Sequence, residues 1–415
     1  MSGATRESEA VERDGRFDEI TQAMATPGFR QNPYPLYARM RRERPVYRSA
    51  QGIWYLTRYA EVEAALGDLR LSNDRERMTR ALAARHEAMQ RLSRLTRRLG
   101  RVMTNTDPPD HARLRKLVNK AFTARRVQGF RPRIQAIVDE LLDAAVAPGP
   151  TMDLIATLAS PLHATVICEL FGIPHSDREC FRAWSDQLLD PLTTPEGFER
   201  VELTVEQFED YLVGLIRRRR AEPADDILSA LVAVAERGDQ LTDEELVSTC
   251  FVLLTAGGET TTNLIGNGTL ALLRHPDQLR RLQQDPTLIR SAVEELVRYD
   301  TPTQITIRVV AGAVEIGGQT LDEGDLVYLV LAATNRDPDR FADPDQLDLG
   351  RCDNRHLSFG NGPHFCLGAP LARLEGEVAI GTLVRRLPAL RLGAGTLKWQ
   401  PNPMLRGLAC LPLAY

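Results

Sequence analysis

The chain has 415 residues, of which 43% are hydrophobic, and its 52 basic and 56 acidic residues give a net charge of −4. These proportions exclude a wholly disordered chain, and the near-neutral balance argues against a generic nucleic-acid-binding protein. Six cysteines without a C-x-x-C pair or a regular spacing exclude a disulfide framework and a zinc ribbon, and are typical of a reducing compartment.

The N-terminal segment is dense in Arg, Glu and Asp and lacks the apolar core of a signal peptide, so we expect a soluble, cytoplasmic protein. We predict a mobile tail over residues 1–25 and a single domain over 26–415. The first predicted elements of that domain are a helix over Pro35–Arg42, a hairpin over Val46–Thr57 and a short helix over Ala60–Leu66.

The next segment, residues 75–101, holds nine Arg against two Glu. One interpretation is a basic loop that attracts an acidic substrate or the phosphopantetheine arm of a carrier protein. The other is a solvated helix face without a partner. The sequence leaves both open.

Helical periodicity dominates from His111 to His275. A capping-box pattern begins the longest predicted helix at Thr242, and we expect this helix to run unbroken for about 32 residues, to just before His275. After Pro302 the pattern changes. It predicts three strands, a helix and a C-terminal hairpin, over Thr303–Val310, Val314–Ile316, Asp325–Leu331, Pro370–Leu387 and Trp399–Leu413.

The most specific motif is a glycine-rich loop around Cys366, which ends just before the predicted helix at Pro370. Three glycines and a proline in ten residues predict a rigid loop whose backbone a ligand can approach closely. The loop resembles the haem-binding loop of cytochromes P-450, Phe-x-x-Gly-x-x-x-Cys-x-Gly. Every position of that pattern is present, as Phe359, Gly362, Cys366 and Gly368. The resemblance implies that Cys366 is the axial thiolate ligand of haem iron.

A second motif lies inside the long predicted helix, at Ala256-Gly257-Gly258-Glu259-Thr260. Two adjacent glycines cost about 1 kcal/mol each in a helix, so they need a reason, such as close approach of a flat ligand and a local opening of the helix. We predict that the Thr260 hydroxyl bonds the Ala256 carbonyl. The stretch resembles the P-450 motif whose acid and alcohol supply protons for dioxygen activation. It implies catalytic roles for Glu259 and Thr260 and places Ala256 beside haem.

A third motif pairs Glu295 with Arg298. This i, i+3 spacing is common on helix surfaces. Its surroundings resemble the Glu-x-x-Arg of the same family, which a downstream arginine completes. Here Arg340 stands at the matching place, and the resemblance implies a structural triad that braces the cysteine loop.

Haem also carries two propionates, which need basic partners. The segment that begins at Asp107 resembles the P-450 segment that binds propionate, and it offers His111 and Arg115 on one helix face. Arg308 and His356 fill the other propionate positions of the family. His364 stands where some members have an arginine.

The opposite face of that helix carries Arg113, Lys116 and Lys120. One interpretation is a plain basic surface. The other, which follows from the resemblance, is a docking face for an acidic iron–sulfur ferredoxin.

Together these motifs identify the chain as a member of the cytochrome P-450 family, of the soluble bacterial type. The implied fold is mainly α with a small β region, a single domain enclosing haem b. The implied activity is monooxygenation: one oxygen atom of O₂ enters a C–H or C=C bond of a small organic substrate, with electrons from NAD(P)H through a reductase and ferredoxin. We expect a substrate among polyketides, macrolides or similar secondary metabolites, free or on a carrier protein.

Two alternatives remain open. One is haem–thiolate chemistry with another outcome, such as phenol coupling or multi-step oxidation. The other is a silent P-450-like binding scaffold, against which the intact Glu259–Thr260 pair argues. By resemblance, the substrate contacts are expected at Val252, Ala256, Gln304, Ile305 and Met404, with the segments 75–101 and 191–198 completing the pocket.

Overall fold

The structure is a computed structural model, and it describes residues 22–24, 26–83, 102–188, 195–236 and 241–415. Most of the predicted tail, residues 84–101 of the arginine-rich segment and residues 191–194 lie outside these ranges, so the predictions for them stay predictions. Within the described ranges, no helix is long and apolar enough to cross a lipid bilayer.

Helices dominate the described chain, which confirms the predicted mainly α fold. In chain order they are α1 Pro27–Gln31, α2 Tyr34–Glu43, α3 Tyr59–Gly67, α4 Arg75–Ala83, α5 Asp110–Ala121, α6 Ala124–Gly129, α7 Arg131–Val146, α8 Ser160–Leu170, α9 Arg178–Leu188, α10 Pro195–Ala221, α11 Ile227–Glu236, α12 Asp243–Thr255, α13 Gly258–Arg274, α14 Pro276–Gln284, α15 Ile289–Tyr299, α16 Leu331–Thr334 and α17 Ala369–Arg386.

The strands are short and form small sheets. In chain order they are β1 Val46–Arg48, β2 Ile53–Leu56, β3 Leu71–Ser72, β4 Thr151–Asp153, β5 Thr306–Val310, β6 Val314–Ile316, β7 Gln319–Leu321, β8 Leu326–Leu329, β9 Arg391–Leu392, β10 Lys398–Trp399, β11 Leu408–Cys410 and β12 Pro412–Ala414.

The described chain divides into two compact units, and the first holds a five-stranded sheet in the order β1-β2-β8-β5-β3. The neighbours are antiparallel except β2 and β8, which run parallel with Trp54 opposite Val327. Apolar and aromatic side chains of these strands fill a buried cluster because such residues pack well on a pleated surface. This unit consists of the described residues up to Ser72, Asn267–Cys366 and Thr396–Cys410.

The second unit is mostly helical. In it α7 packs against both α8 and α17, and α10 packs against α9, α11 and α12. A three-stranded sheet, β4-β12-β9, ties distant parts of the chain together, with Leu413 opposite Met152 on one side and Leu392 on the other. This unit consists of the described residues of Asn73–Gly266, Leu367–Gly395 and Leu411–Tyr415.

Most predicted elements are confirmed: the helices near the N-terminus are α2 and α3, the first hairpin is β1–β2, and the helix after the cysteine loop is α17. The single long helix is wrong. Its capping box forms, because Thr242 Oγ1 accepts from the Glu245 N–H at 3.1 Å and a Glu245 carboxylate oxygen accepts from the Thr242 N–H at 3.0 Å. The helix then breaks at Ala256–Gly257 into α12 and α13, where the paired glycines lower the cost of leaving the helix.

The C-terminal prediction is half right. Lys398 pairs with Cys410, so β10 and β11 form the expected hairpin. The chain then leaves it, and β12 pairs with β4 and β9. Strand β7 was not predicted. It pairs with β6 across a turn at Gly317 and Gly318, and two adjacent glycines are a turn signal in the sequence.

Candidate active site

Cys366 ends a loop whose shape is set by its backbone. Gly360 and Gly362 have φ angles of 74° and 68°, a left-handed conformation that favours glycine. A Cβ at Gly362 would lie 2.7 Å from the Leu66 carbonyl oxygen, which leaves no room for a side chain. The Cys366 N–H donates to the Phe359 carbonyl at 2.8 Å and closes the loop, while Cys366 itself is exposed. The loop therefore presents the thiol on a fixed backbone.

A buried ion cluster lies behind this loop, in the same unit. Glu295 and Arg298 have no exposed side-chain surface, and Arg298 donates to both carboxylate oxygens at 2.7 and 2.8 Å. Arg351 completes the cluster, with its Nε 3.1 and 3.2 Å from the same two oxygens. The predicted third member, Arg340, is wrong: its guanidinium binds Asp353 at 2.8 and 2.9 Å instead.

Sequence reasoning missed the residue that joins this cluster to the loop, Asn335. Its backbone carbonyl accepts from Arg298 at 2.7 Å. Its side chain accepts from the Leu357 N–H and donates to the Ser358 hydroxyl, both at 2.8 Å. Ser358 in turn donates to the Val297 carbonyl at 3.0 Å. The only sequence signal for Asn335 is its place five residues before Arg340, in the stretch that resembles the arginine-containing loop of the family.

The two loop histidines differ in surroundings. The side chain of His356 is buried, with Nδ1 accepting from the Ser358 N–H at 3.3 Å and Nε2 3.2 Å from a Glu294 carboxylate oxygen. Both ring nitrogens are thus engaged inside this unit, where the ring braces the loop, and the propionate role of His356 stays a prediction. His364 is half-buried, in a 3₁₀ turn two residues before Cys366.

Arg308 is a buried cation in β5, opposite Val327 of β8 and only 4% exposed. Its Nη1 donates to the Thr306 hydroxyl at 3.1 Å and to the Ile307 carbonyl at 2.8 Å. These bonds fix the planar guanidinium, whose fork geometry suits a carboxylate.

Helix α5 carries the second predicted basic pair. His111 is buried and Arg115 is half-buried. Burial lowers the pKa of His111, the Arg115 charge lowers it further, and Asp107 opposes both. The lowered pKa favours the neutral form of His111, which can bind a partner through a hydrogen bond, whereas the Arg115 guanidinium is charged.

The opposite face of α5 matches its prediction only in part. Lys116 and Lys120 are exposed. Arg113, however, donates to the Glu245 carboxylate at 2.5 and 3.3 Å and lies 3.8 Å from Asp110. Its charge is thus used within this unit, and the outward charge of the face comes from the two lysines.

The break between α12 and α13 opens the backbone at the second motif. The Ala256 N–H donates to the Val252 carbonyl at 2.9 Å and ends α12, and α13 begins at Gly258. The Thr260 hydroxyl donates to the Gly257 carbonyl at 3.3 Å. The predicted acceptor, Ala256, is wrong, because the opened turn moves the acceptor by one residue. Ala256 is exposed although apolar residues flank the break.

Glu259 lies beside this hydroxyl along the chain and is half-buried. Its Oε1 is buried without a hydrogen-bond partner among the described residues. Burial raises the pKa of Glu259, and the Asn263 amide one turn further lowers it in part. The carboxyl therefore keeps its proton to a higher pH than an ordinary glutamate, as a proton donor should.

Three predicted substrate contacts lie together in the first unit. The Gln304 N–H donates to the Met404 carbonyl at 2.9 Å, and Met404 packs against the cluster that contains Ile305. Ile305 is only 2% exposed, so in this structure it is a core residue. In the second unit, Val252 is half-buried.

The family model described as Cytochrome P-450 matches residues 178–390, which include both the helix break and the cysteine loop. The chain belongs to the cytochrome P-450 family. The family is one of haem-containing monooxygenases, so the predicted class of enzyme and its iron cofactor are confirmed.

Individual relatives agree over nearly the whole chain. The chain is 43% identical to the cytochrome P-450 monooxygenase PikC of Streptomyces venezuelae, over 93% of this chain and 92% of that protein. It is 38% identical to the polyketide biosynthesis cytochrome P-450 PksS of Bacillus subtilis, over 93% and 96%. A crystal structure of P450BioI with acyl carrier protein ligated to hexadec-9Z-enoic acid matches with a TM-score of 0.85 and 39% identity, covering 94% of this chain and all of that one.

The residues present fit a haem. Cys366 offers an exposed sulfur, the soft donor that suits iron, on a preformed loop. Among the described residues no group of three or more His, Cys, Asp or Glu side chains could hold a bare metal ion. Arg308 in the first unit, and His111 and Arg115 in the second, are basic or hydrogen-bonding groups of the kind that bind carboxylates.

Proposed function

We propose that this P-450 inserts one oxygen atom of dioxygen into a C–H or C=C bond of a small organic substrate, with Cys366 as the thiolate ligand of haem iron. The supporting observation is the Cys366 loop, in which an exposed thiol follows a turn that glycine geometry and the Glu295 cluster hold in place. When haem is bound, it supplies dioxygen activation, which electron donation from the thiolate favours.

The chain's own contribution to the proton supply is the Glu259–Thr260 pair. Burial raises the pKa of Glu259, so its carboxyl keeps a proton to a higher pH than an ordinary glutamate, and the Thr260 hydroxyl is fixed by its bond to the Gly257 carbonyl. A proton donor and an adjacent hydroxyl at an opened helix turn are the components of a relay.

Carboxylate recognition falls to four side chains. We assign the haem propionates to Arg308, Arg115, His111 and His364. Two are arginines with fixed donor geometry, and His111, whose lowered pKa favours the neutral form, adds a hydrogen bond without a charge.

The last glycine of the cysteine motif, Gly368, stands just before α17 with a φ of −76°, so its conformation does not require glycine.

Electrons arrive, in this proposal, from NAD(P)H through a reductase and an iron–sulfur ferredoxin. Lys116 and Lys120 form the docking face for the acidic ferredoxin, since both are exposed on α5. Arg113 contributes less than the sequence predicts because Glu245 already neutralises it.

The substrate we propose is a polyketide- or macrolide-like secondary metabolite. The support is the printed name of the relative PksS, which refers to polyketide biosynthesis. The acyl carrier protein in the P450BioI structure supports a carrier-bound form as a second possibility. Screening both forms for the low-to-high-spin shift that follows displacement of iron-bound water tests the class, and product analysis separates insertion from coupling.

The test of the central claim is the carbon monoxide difference spectrum of the reduced protein. The wild type should show the red-shifted Soret band of a thiolate ligand, and Cys366→Ala should lose it. Cys352→Ala is the matched control, because Cys352 is also exposed but lies outside the motif. Persistence of the band in Cys366→Ala would overturn the assignment.

A further inference from the structure

A buried histidine–carboxylate pair lies in the second unit, outside every motif considered above. His163 is on α8 and Glu375 on α17, and they are 3% and 0% exposed. The His163 Nδ1 lies 3.1 and 3.3 Å from the two Glu375 carboxylate oxygens. A carboxylate without access to water needs such a donor, so Nδ1 carries a hydrogen and donates it.

The other ring nitrogen of His163 faces the helix break. A Cβ on Gly257 would lie 2.8 Å from the His163 Cε1 and 2.9 Å from Nε2. The ring edge therefore occupies the space that any larger residue at position 257 would need. Gly257 is also the residue whose carbonyl accepts the Thr260 hydroxyl and the Thr261 N–H.

Nε2 itself is buried and has no hydrogen-bond partner among the described residues. A buried polar nitrogen in that state is costly and calls for an explanation. A leucine would fill the same space without this cost. A buried carboxylate and its hydrogen bond therefore hold the ring so that its other nitrogen faces the opened turn.

We propose that His163 is a positioning residue for the Thr260 hydroxyl: Glu375 fixes the ring, and Nε2 supplies a hydrogen-bonding group to the opened turn at Ala256–Gly257. The inference rests on the proposed proton relay through Thr260. It assigns to His163 control over the turn that carries the Thr260 acceptor, not contact with substrate or cofactor.

Two amide substitutions separate the ring nitrogens. Asparagine places its side-chain nitrogen near the Nδ1 position, so His163→Asn keeps the Glu375 contact and lacks a group at Nε2. Glutamine reaches the Nε2 position and restores a group there. We expect His163→Asn to lower the product formed per NAD(P)H consumed by about fivefold, the factor for one ordinary hydrogen bond, and His163→Gln, which restores the group at Nε2 but gives up the Nδ1 donor to Glu375, to lower it by less.

The result that would overturn the proposal is equal coupling in the two variants, whether both match the wild type or both fall. Thr260→Ala distinguishes the proposals: if it stays fully coupled, the relay fails, and if it uncouples while His163→Asn does not, only the role of His163 fails. The carbon monoxide spectrum confirms that each variant binds haem.

A spectroscopic test does not depend on turnover or on the folding of the His163 variants. In the ¹⁵N-histidine NMR spectrum of the diamagnetic, carbon monoxide-bound ferrous protein, His163 should show a protonated Nδ1. Glu375→Gln should shift this signal, because it removes the charged acceptor. An unprotonated Nδ1, or a signal indifferent to Glu375→Gln, would overturn the proposed orientation.

Discussion

Glu259 and Thr260 are neighbours in sequence but differ in what fixes them. The Thr260 hydroxyl is bonded to the Gly257 carbonyl, whereas the Glu259 Oε1 has no hydrogen-bond partner among the residues that the structure describes. The hydroxyl is thus fixed by a hydrogen bond, whereas one oxygen of the carboxyl is not. This difference suits a relay in which the carboxyl brings protons and the hydroxyl passes them on.

Removal of the hydroxyl should uncouple the enzyme. We expect Thr260→Ala to consume NAD(P)H at a near-normal rate while the product formed per NAD(P)H falls by roughly tenfold or more, since the proton path is lost. The measurement is product against cofactor consumption. Thr262→Ala removes another buried hydroxyl, one that bonds the Ala159 carbonyl at 3.5 Å, and should leave the ratio unchanged.

The carboxyl makes a prediction about stability. Because the pKa of Glu259 is raised by burial, the folded protein binds its proton more tightly than the unfolded chain, and stability falls as pH rises through the folded pKa. Glu259→Gln should therefore unfold at a higher temperature than wild type at neutral pH, and the gain should shrink as pH falls through the raised pKa and vanish below the ordinary glutamate pKa. A difference that does not change with pH would contradict the burial argument.

At the scale of elements, the cysteine loop depends on a cluster that the motif alone does not describe. Glu295 accepts from Arg298, Arg351, the Asp348 N–H and the Asn354 amide. A buried carboxylate with this many donors is stable only while the donors stay, since an uncompensated buried charge is strongly destabilising.

The two candidate arginines provide a matched pair of variants. Arg351→Ala leaves Glu295 short of a charged donor and should lower the free energy of unfolding by about 2 kcal/mol, with weaker haem retention. Arg340→Ala removes a bond to Asp353, which is 60% exposed, and ring contacts with Tyr59 and Phe341, and it should lower the free energy of unfolding by less than Arg351→Ala does. Thermal unfolding and the haem-to-protein absorbance ratio measure both, and the reverse order would restore Arg340 to the triad.

At this scale the sequence predicts contacts between residues close along the chain well and contacts between distant segments poorly. The spacing of Glu295 and Arg298 on one helix predicts their contact. The partner from a distant loop does not follow from spacing, because Arg340 and Arg351 both lie in irregular chain. In the same way, the glycines at 257 and 258 predict an opening in the helix but not the His163 ring that packs against it, since His163 lies nearly a hundred residues earlier.

At the scale of the whole molecule, the chain is nearly neutral, so a docking face must come from local charge. The described chain has few lysines, and Lys116 and Lys120 stand four residues apart on the same helix. Both residues are exposed.

Charge reversal at this face should weaken electron delivery. We expect Lys116→Glu and Lys120→Glu each to raise the ferredoxin concentration for half-maximal turnover by about fivefold at low salt, and less at high salt. Lys398→Glu is the control, since it makes the same net-charge change at an exposed lysine in β10. Equal effects in all three variants would indicate net charge alone, and no effect at α5 would remove the docking assignment.

The tight fit of Gly362 against Leu66 has a consequence for how the protein acquires its cofactor. Gly362 lies against Leu66 and the Cys366 N–H donates to the Phe359 carbonyl, so contacts within the chain fix the backbone that carries the thiol. A ligand that meets a preformed site loses less free energy to ordering on association. We therefore expect a larger residue at position 362 to slow haem incorporation, because it would displace the loop that carries Cys366.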